Sequence, residues 1–389
     1  MIDLNSEKAV SPLILIGGST RAAAFSAVRA GFSPICCDRY NDLDTTRVAK
    51  AFPVKSYPED LISLTAHIPS APLVYVGALE NWPDLIDSLA ERHEVWGMTG
   101  ENLRKSRDPA SLHEVQRFSR APILEARTAN DPPPADGTWI RRPLKGSGGQ
   151  GISVWDEAAA GMKLTEDCIF QKKVDGMSCS AVFLAAAEQG DVQFVGVTQQ
   201  LIGQPEFGVS GFVWCGNIGP IALPIEVEHL IRRIGNVLKW KCGMRGMFGV
   251  DFILDAQNQV WVTEVNPRYP ASAELLEWST HQPLLWMHAN CFADPGHPLP
   301  RWKGPNLAHF LGKAVVYATE AMTVGSAAQS LAANVDPWKF PVAADIPVPG
   351  TALQPGEPIL TVFAQSDTAD GCRELLVHQA AELTVRLRG

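Results

Sequence analysis

The sequence predicts an α/β fold with two or three domains, and three features indicate it. The chain has 389 residues, whereas a single domain usually takes roughly 100 to 200. Residues 12–38 read as an apolar strand, a helix and a second apolar strand, an order that forms a parallel sheet. Residues 246–266 read as two apolar strands around a short polar turn, which is typical of an antiparallel hairpin. Both kinds of sheet are therefore expected.

The N-terminal part is expected to be a doubly wound βαβ domain. Ser19 or Thr20 can cap its first helix, and Gly31 can end that helix. Residues 71–80 add a buried strand, and residues 81–93 add a helix with one apolar face. The turn after the first strand lacks the third glycine of a dinucleotide fingerprint, so a nicotinamide cofactor is not expected there.

The rest of the chain is expected to be mainly β-structure with a few helices. Residues 101–120 look helical, and a proline-rich loop separates them from three short β segments. Residues 226–240 repeat apolar side chains at helical spacing, so they predict a helix that lies on a core. From about residue 301, proline and glycine divide the chain into short pieces that end in a helix at residues 372–387.

Composition and charge exclude several classes of protein. The apolar fraction of 46% is ordinary for a globular protein, and the net charge of -9 argues against general nucleic-acid binding. No stretch approaches the roughly 20 apolar residues of a membrane span. The first ten residues lack the basic start and apolar run of a secretory signal, so the expected location is the cytoplasm. The eight cysteines show no metal-binding spacing and are expected to be reduced and mostly buried.

The hairpin carries an unusual pair of acids. If it folds at the middle of residues 255–259, Asp251 lies opposite Glu264, and Asn266 lies on the face of Glu264. Opposed like charges destabilise a sheet, so a cation between them is expected. Two carboxylates and an amide oxygen are hard ligands that suit Mg²⁺. The alternative is that both acids are exposed to solvent. The apolar flanking residues and the neighbouring Arg268 argue against it.

A glycine-rich loop is the second candidate site. Residues 145–151 contain G-x-G-x-x-G, but the residues that follow have β character, so the loop joins two strands. Such a loop can close its backbone N–H groups over phosphates. Arg141, Arg142 and Lys145 place three cations beside it. An ordinary glycine-rich hairpin is the alternative, and the P-loop and protein-kinase signatures do not occur in the sequence.

Together the two motifs resemble the ATP-grasp superfamily of carboxylate ligases, from about residue 102 to residue 277. The resemblance implies an α/β (α+β) chain with the ATP-grasp fold, and it implies ATP and Mg²⁺, or Mn²⁺, as cofactors. The implied parts are a Rossmann-like pre-ATP-grasp domain (1–101), an ATP-grasp domain with lid and central parts (102–300, lid about 137–185) and a small C-terminal α/β module (301–389).

The resemblance also implies a role for each site residue by position. Asp251, Glu264 and Asn266 correspond to the Mg²⁺ ligands. Arg268 corresponds to the arginine that steadies the substrate carboxylate or its acyl phosphate, and it is the catalytic candidate together with Lys145. The implied nucleotide-binding set is Arg142, Lys145, Gly146, Ser147, Gly148, Gly149, Gly151, Gln171, Lys172, Lys173, Val174 and Ser178.

The chain departs from the superfamily pattern at several positions, among them Arg142 in place of a lysine before the flap proline and Gly249 in place of an arginine common in amino-acid ligases. Asp108-Pro109 stands where an Asp-Lys pair is common, so a lysine contact to phosphate is missing. Gln171 and Ser178 replace the two acids of the hinge segment, in which the backbone of Lys173 and Val174 would face adenine. These replacements affect the phosphate, base and ribose contacts.

The resemblance implies an ATP-dependent ligase that forms a carbon-nitrogen bond. It would activate a small acid as an acyl phosphate, join it to a small amine and release ADP and phosphate. Residues 199–220 resemble a carboligase branch close to tyramine-glutamate ligase, which implies methanofuran-like cofactor biosynthesis; an ordinary buried loop is the alternative. Two other functions stay open, namely ATP-dependent carboxylation through carboxyphosphate and a catalytically silent nucleotide-binding module. No nucleic-acid or membrane partner is expected. The oligomeric state stays open, with a homodimer as one option because dimers are common among similar ligases.

Overall fold

The computed structural model describes residues 11–159, 161, 167–187, 190, 192–293 and 299–388. The first ten residues, which carry the prediction of a cytoplasmic location, lie outside these ranges, and so do parts of the predicted lid. Within the described ranges, none of the helices combines the length and the apolar character needed to cross a membrane.

The N-terminal part alternates strands and helices, as the sequence predicts. Its elements are β1 (Pro12–Gly17), α1 (Arg21–Arg29), β2 (Ser33–Asp38), α2 (Leu43–Val48), β3 (Lys50–Pro53), α3 (Leu61–Ala66), β4 (Leu73–Tyr75) and α4 (Pro83–Ala90). The strands pair in parallel in the order β3-β2-β1-β4. Thr20 precedes α1 but does not cap it, because its hydroxyl donates to Asp38 Oδ2 over 2.7 Å. A 3₁₀ turn, Leu79–Asn81, follows β4.

A helix break at Asp108 divides the next segment into α5 (Gly100–Arg107) and α6 (Pro109–Ser119). Asp108 caps α6 because its Oδ1 accepts the Ala110 N–H over 3.0 Å, and proline is suited to the first helical position. The residue before a proline also avoids helical backbone angles. The Asp-Pro pair therefore ends α5 at Arg107, whose side chain reaches the acid hairpin.

Two antiparallel sheets follow. The small sheet has the order β5-β8-β6-β7 and is formed by β5 (Ala126–Thr128), β6 (Trp139–Pro143), β7 (Ser153–Trp155) and β8 (Cys168–Lys172). The large sheet begins with β9 (Met177–Ala185), β10 (Gln193–Ile202) and β11 (Trp214–Gly219), followed by α7 (Ile225–Cys242), β12 (Gly246–Leu254), β13 (Val260–Asn266), α8 (Ala273–Thr280) and α9 (Leu284–Asn290). The three predicted β segments around the glycine loop and the predicted helix over residues 226–240 are confirmed.

The C-terminal residues extend the large sheet and also form a separate two-stranded sheet. They contain β14 (Phe310–Tyr317), β15 (Met322–Thr323), α10 (Ala327–Ala333), β16 (Ala343–Ala344), β17 (Ala352–Leu353), β18 (Pro358–Ser366) and α11 (Ala369–Leu387). In the described part of the chain, the large sheet has the order β13-β12-β9-β10-β11-β14-β18-β16. The sheet therefore runs across residue 301, and the predicted domain boundaries stay a prediction.

The register of the acid hairpin is confirmed. Asp251 pairs with Glu264, and Gly249 pairs with Asn266. A bulge between Asp251 and Phe252 then shifts the pairing by one residue. The two acids therefore lie side by side at the end of the hairpin that is remote from its turn. All eight cysteines are buried, as predicted.

A buried ionic cluster joins four segments of the chain. The side chain of Arg21, from α1, is 2% exposed and forms ion pairs with Glu274 of α8 and with Asp345, the latter over 3.1 Å. Lys313 of β14 donates to the same Glu274 over 3.1 Å. Burial of these charges is costly unless they are paired. The cluster therefore holds the N-terminal sheet against the large sheet.

Replacing Arg21 by methionine is expected to lower the urea midpoint of unfolding, because Glu274 and Asp345 would lose a shared buried cation. Removing one partner of a buried ion pair typically costs about 3 to 5 kcal/mol. Arg47 is exposed on α2, so Arg47→Met is the control, with an expected change within about 0.5 kcal/mol. Similar midpoints for both variants would contradict the stabilising role of the cluster.

Candidate active site

A cavity of about 560 Å³ lies between the large sheet, the glycine loop and the N-terminal sheet. Its floor is one face of the large sheet, to which seven neighbouring strands each contribute a polar side chain. In sheet order these side chains are Glu264, Asp251, Ser180, Gln200, Asn217, Lys313 and Thr361. Because neighbouring strands are about 4.8 Å apart, the floor extends roughly 25 Å or more along the sheet. It is therefore long enough for two ligands side by side.

Two arginines and an asparagine hold the acid pair at one end of this cavity. Arg107 Nη1 donates to Glu264 Oε1 over 2.8 Å, and Arg142 Nη2 lies 2.9 Å from Glu264 Oε2. On the other acid, Asn266 Nδ2 donates to Asp251 Oδ2 over 2.9 Å. The repulsion expected between the acids is thus offset by guanidinium groups and an amide.

The two acids have opposite pKa shifts. Burial, followed by the nearby charge of Glu264, raises the pKa of Asp251 to about 6. Burial acts to raise the pKa of Glu264 as well, but Arg142 and Arg107 outweigh it and lower that pKa to about 2. Both carboxylates are therefore mainly ionised at neutral pH, which is the state that a divalent cation requires.

Within the described ranges, no three His, Cys, Asp or Glu side chains form a metal-binding cluster.

Arg268 lies beside the acids and is held from two sides. Its Nε donates to Glu80 Oε1 over 2.9 Å, and its Nη2 donates to Asn266 Oδ1 over 3.2 Å. Glu80 belongs to the 3₁₀ turn after β4, at the carboxyl edge of the parallel sheet, where open α/β sheets usually bind ligands. The N-terminal sheet therefore orients the arginine that the sequence identifies as a catalytic candidate.

The glycine loop joins β6 to β7, as predicted, and lies against residues 211–214. Trp214 N donates to Gly148 O over 2.9 Å, and Asn81 Nδ2 donates to Gly146 O over 3.1 Å. Gly149 has a φ of +74°, and a Cβ on it would lie 1.8 Å from Phe212 O. Only glycine allows this close approach of two backbones, so the loop is fitted to the segment after β10.

The hinge segment lies at the other side of the acids. Gln171 Oε1 accepts from Arg142 Nη1 over 3.1 Å, and Lys172 Nζ donates to Thr138 Oγ1 over 2.8 Å. Lys173 N donates to Thr138 O over 2.9 Å, whereas the N–H of Val174 has no hydrogen-bond partner among the described residues. The Val174 N–H therefore offers a donor to the cavity that this residue lines.

Most of the predicted site residues meet around this cavity. It is lined by Arg142, Gly146, Ser147, Gly148, Gly149, Gln171, Lys172, Lys173, Val174, Ser178, Asp251, Glu264, Asn266 and Arg268. Two predicted residues, Gly151 and Lys145, are not among the described residues that line it, and Lys145 is exposed. A phosphate contact from Lys145 would therefore require its side chain or the loop to move.

Sequence reasoning missed several residues of the site. Arg107 and the pair Glu80-Asn81 hold the predicted residues in place, and Arg21 and Lys313 line the far end of the cavity. Two signals could have found some of them. Arg107 directly precedes the helix-breaking Asp-Pro pair, and Glu80-Asn81 ends a predicted strand of the parallel sheet, where ligand sites form.

Comparison with known proteins agrees with this geometry. Residues 112–272 match the family model described as an ATP-grasp domain. An uncharacterised protein of Methanocaldococcus jannaschii is 26% identical over 236 residues, which are 59% of this chain and 51% of the relative. The chain thus spans about half the length of this curated relative.

Solved structures share the fold over nearly the whole chain. N5-carboxyaminoimidazole synthetase from Staphylococcus aureus superposes with a TM-score of 0.66 and 14% identity, covering 95% of this chain and 97% of its own. L-amino acid ligase from Bacillus licheniformis superposes with a TM-score of 0.69 and 11% sequence identity, and the match covers 96% of this chain and 97% of the ligase. The biotin carboxylase domain of Hydrogenobacter thermophilus 2-oxoglutarate carboxylase superposes with a TM-score of 0.68 and 14% sequence identity. The match covers 91% of this chain and 86% of that domain's chain. The domain match and the shared fold together show that the chain has the ATP-grasp fold, with an ATP-grasp domain at residues 112–272.

Proposed function

We propose that the protein is an ATP-dependent ligase that activates a small acid as an acyl phosphate and joins it to an amine, with release of ADP and phosphate. One observation carries this proposal: Asp251 and Glu264 face each other at one end of a long cavity, between Arg142, Arg268 and the glycine loop. Positioning and charge neutralisation are what phosphoryl transfer requires from a protein.

The residues present fit a nucleotide. Apolar side chains of Leu124, Ile140, Ile152 and Phe252 line the cavity near the hinge, which suits an adenine ring. The Val174 N–H is an available donor to the edge of that ring. The glycine-loop backbone at residues 146–149 lines the cavity and would cover the phosphates.

The acid pair fits a divalent cation. Asp251 and Glu264 are both mainly ionised at neutral pH, and the amide oxygen of Asn266 accepts one hydrogen bond but has a second lone pair. These three side chains would hold Mg²⁺ or Mn²⁺, with water and phosphate oxygens as the other ligands. A bound Mg²⁺ would supply a Lewis acid that neutralises phosphate charge.

The remaining residues would orient the reacting groups. Arg268, fixed by Glu80, would hold the substrate carboxylate and then its acyl phosphate, while Arg142 would contact the transferred phosphoryl group. The amine would displace phosphate from the acyl carbon. The far end of the cavity, with Gln200, Lys313 and Thr361, would bind the rest of the second substrate.

Carboxylation is the second candidate. Two of the similar structures are a carboxyaminoimidazole synthetase and a biotin carboxylase domain solved with bicarbonate, and each shares the fold of this chain. A silent module is disfavoured because the predicted ligands and Arg268 converge on one cavity. The tyramine-glutamate branch, methanofuran-like cofactor biosynthesis, the cytoplasmic location and the homodimer stay predictions of the sequence.

A screen of acid and amine pairs tests the proposal. ADP release is expected to require one acid and one amine together, because the acyl phosphate forms only with the acid and turns over only with the amine. Bicarbonate is added in a separate arm. Release that needs bicarbonate and no other acid would favour carboxylation, and no release with any combination would favour the silent module.

Glu264→Gln is expected to reduce the rate of ADP release by about 100-fold or more, because a metal ligand loses its charge. The Glu226→Gln variant removes the same charge from an exposed position on α7 and is expected to keep the wild-type rate. Near wild-type turnover by the Glu264 variant would rule out its proposed role.

Gly149→Ala is expected to raise the KM for ATP about tenfold or more, because its Cβ would collide with the Phe212 carbonyl and hold the loop open. Gly148→Ala is the matched comparison. Gly148 also has a positive φ, of +58°, but a Cβ on it meets nothing within 4 Å. We expect a smaller rise for this variant; equal rises would show that backbone strain, and not the Phe212 contact, determines the effect.

A further inference from the structure

Both oxygens of Glu264 are already bound by arginine. Arg107 Nη1 is 2.8 Å from Oε1, and Arg142 Nη2 is 2.9 Å from Oε2. Hydrogen bonds between guanidinium and carboxylate are among the strongest in proteins. A divalent cation that binds Glu264 must therefore displace or share at least one of these partners.

The two arginines differ in their surroundings. Arg142 lines the cavity, and its other contacts are the side-chain oxygen of Gln171 and the Thr263 carbonyl, at 3.1 and 3.0 Å. Arg107 is not among the described residues that line the cavity, although the two side chains are about equally buried.

The other partners of Arg107 also lie outside the described cavity lining. Besides Glu264 it donates to Val265 O over 2.9 Å and to Asn81 Oδ1 over 3.0 Å. The same Asn81 donates to Gly146 of the glycine loop. Arg107 is therefore fixed behind the carboxylate, whereas Arg142 stands between the carboxylate and the cavity.

Charge determines which partner can leave. A divalent cation placed against Glu264 would be close to two guanidinium groups and would be repelled by both. The phosphates of a nucleotide offer Arg142 an alternative anionic partner on the cavity side. Nucleotide binding would thus draw the Arg142 guanidinium away from Glu264 when the cation and its phosphate ligands arrive.

We propose that the two arginines have separate roles at Glu264. Arg107 is a positioning residue that holds Oε1 throughout, and Arg142 takes the place of the divalent cation at Oε2 until nucleotide phosphates draw it away. Cation binding consequently depends on prior or simultaneous nucleotide binding. This inference rests on the proposed function, because it takes Glu264 as a metal ligand.

Mn²⁺ binding, followed by the electron paramagnetic resonance signal of the free ion, tests the exchange without any turnover. In the absence of nucleotide, Arg142→Gln is expected to bind Mn²⁺ about tenfold more tightly than the wild type, because Oε2 becomes available. In the presence of EDTA, the same variant is expected to bind adenylyl imidodiphosphate about tenfold more weakly and adenosine equally well. Structural damage would weaken the binding of all three ligands. Tighter Mn²⁺ binding together with weaker analogue binding therefore identifies the exchange.

Arg141→Gln is the matched control. Arg141 is the neighbouring arginine on β6, and its side chain lies on the opposite face of the strand from Arg142. It does not appear among the described cavity-lining residues, so its replacement is expected to leave all three affinities unchanged.

Arg107→Gln tests the positioning role. With adenylyl imidodiphosphate present, its Mn²⁺ affinity is expected to fall about tenfold, with partial recovery in Arg107→Lys, while analogue binding in EDTA stays near the wild-type value. Wild-type Mn²⁺ affinity in this variant would overturn the positioning role. Unchanged or weaker nucleotide-free Mn²⁺ binding in Arg142→Gln would overturn the exchange. A wild-type protein that binds the analogue but never Mn²⁺ would instead refute the proposed metal site.

Discussion

The repulsion between Asp251 and Glu264 across one hairpin is the constraint on which the site depends. The strand register places them side by side, and burial makes their charges costly. The structure offsets this cost with Arg107 and Arg142 on one acid and with Asn266 on the other. These compensating groups come from α5, β6 and β13, so the hairpin determines where the helix, the small sheet and the large sheet meet.

The large sheet turns this local constraint into an extended site. Its face carries polar side chains from the acid hairpin to Lys313 and Thr361, and the sheet continues through the C-terminal strands without interruption. The buried cluster around Arg21 attaches the N-terminal sheet to this platform. The 3₁₀ turn of that sheet then contacts Arg268 through Glu80 and the glycine loop through Asn81. One short turn thereby connects the acids, the loop and the N-terminal sheet.

Local patterns predicted the hairpin register and the position of the glycine loop between strands, and their failures elsewhere have a physical reason. Alternation along a strand and a short polar turn were enough to pair Asp251 with Glu264. The β character after the glycine loop correctly placed it between strands. Arg107 was missed because no local rule shows that the last residue of a helix will reach a hairpin 157 positions away. The position of Lys145, exposed and outside the described cavity lining, depends in the same way on how the loop packs.

Residues that are neighbours along the chain or across one turn were enough to predict the alternation of strands and helices, the hairpin register and the resemblance to the ATP-grasp motifs. Tertiary packing, in contrast, sets which cations meet the acids, how the glycine loop fits residues 211–214 and how far the cavity extends. Those features depend on contacts between segments that are distant in sequence, and such contacts are set by the packing of the whole chain.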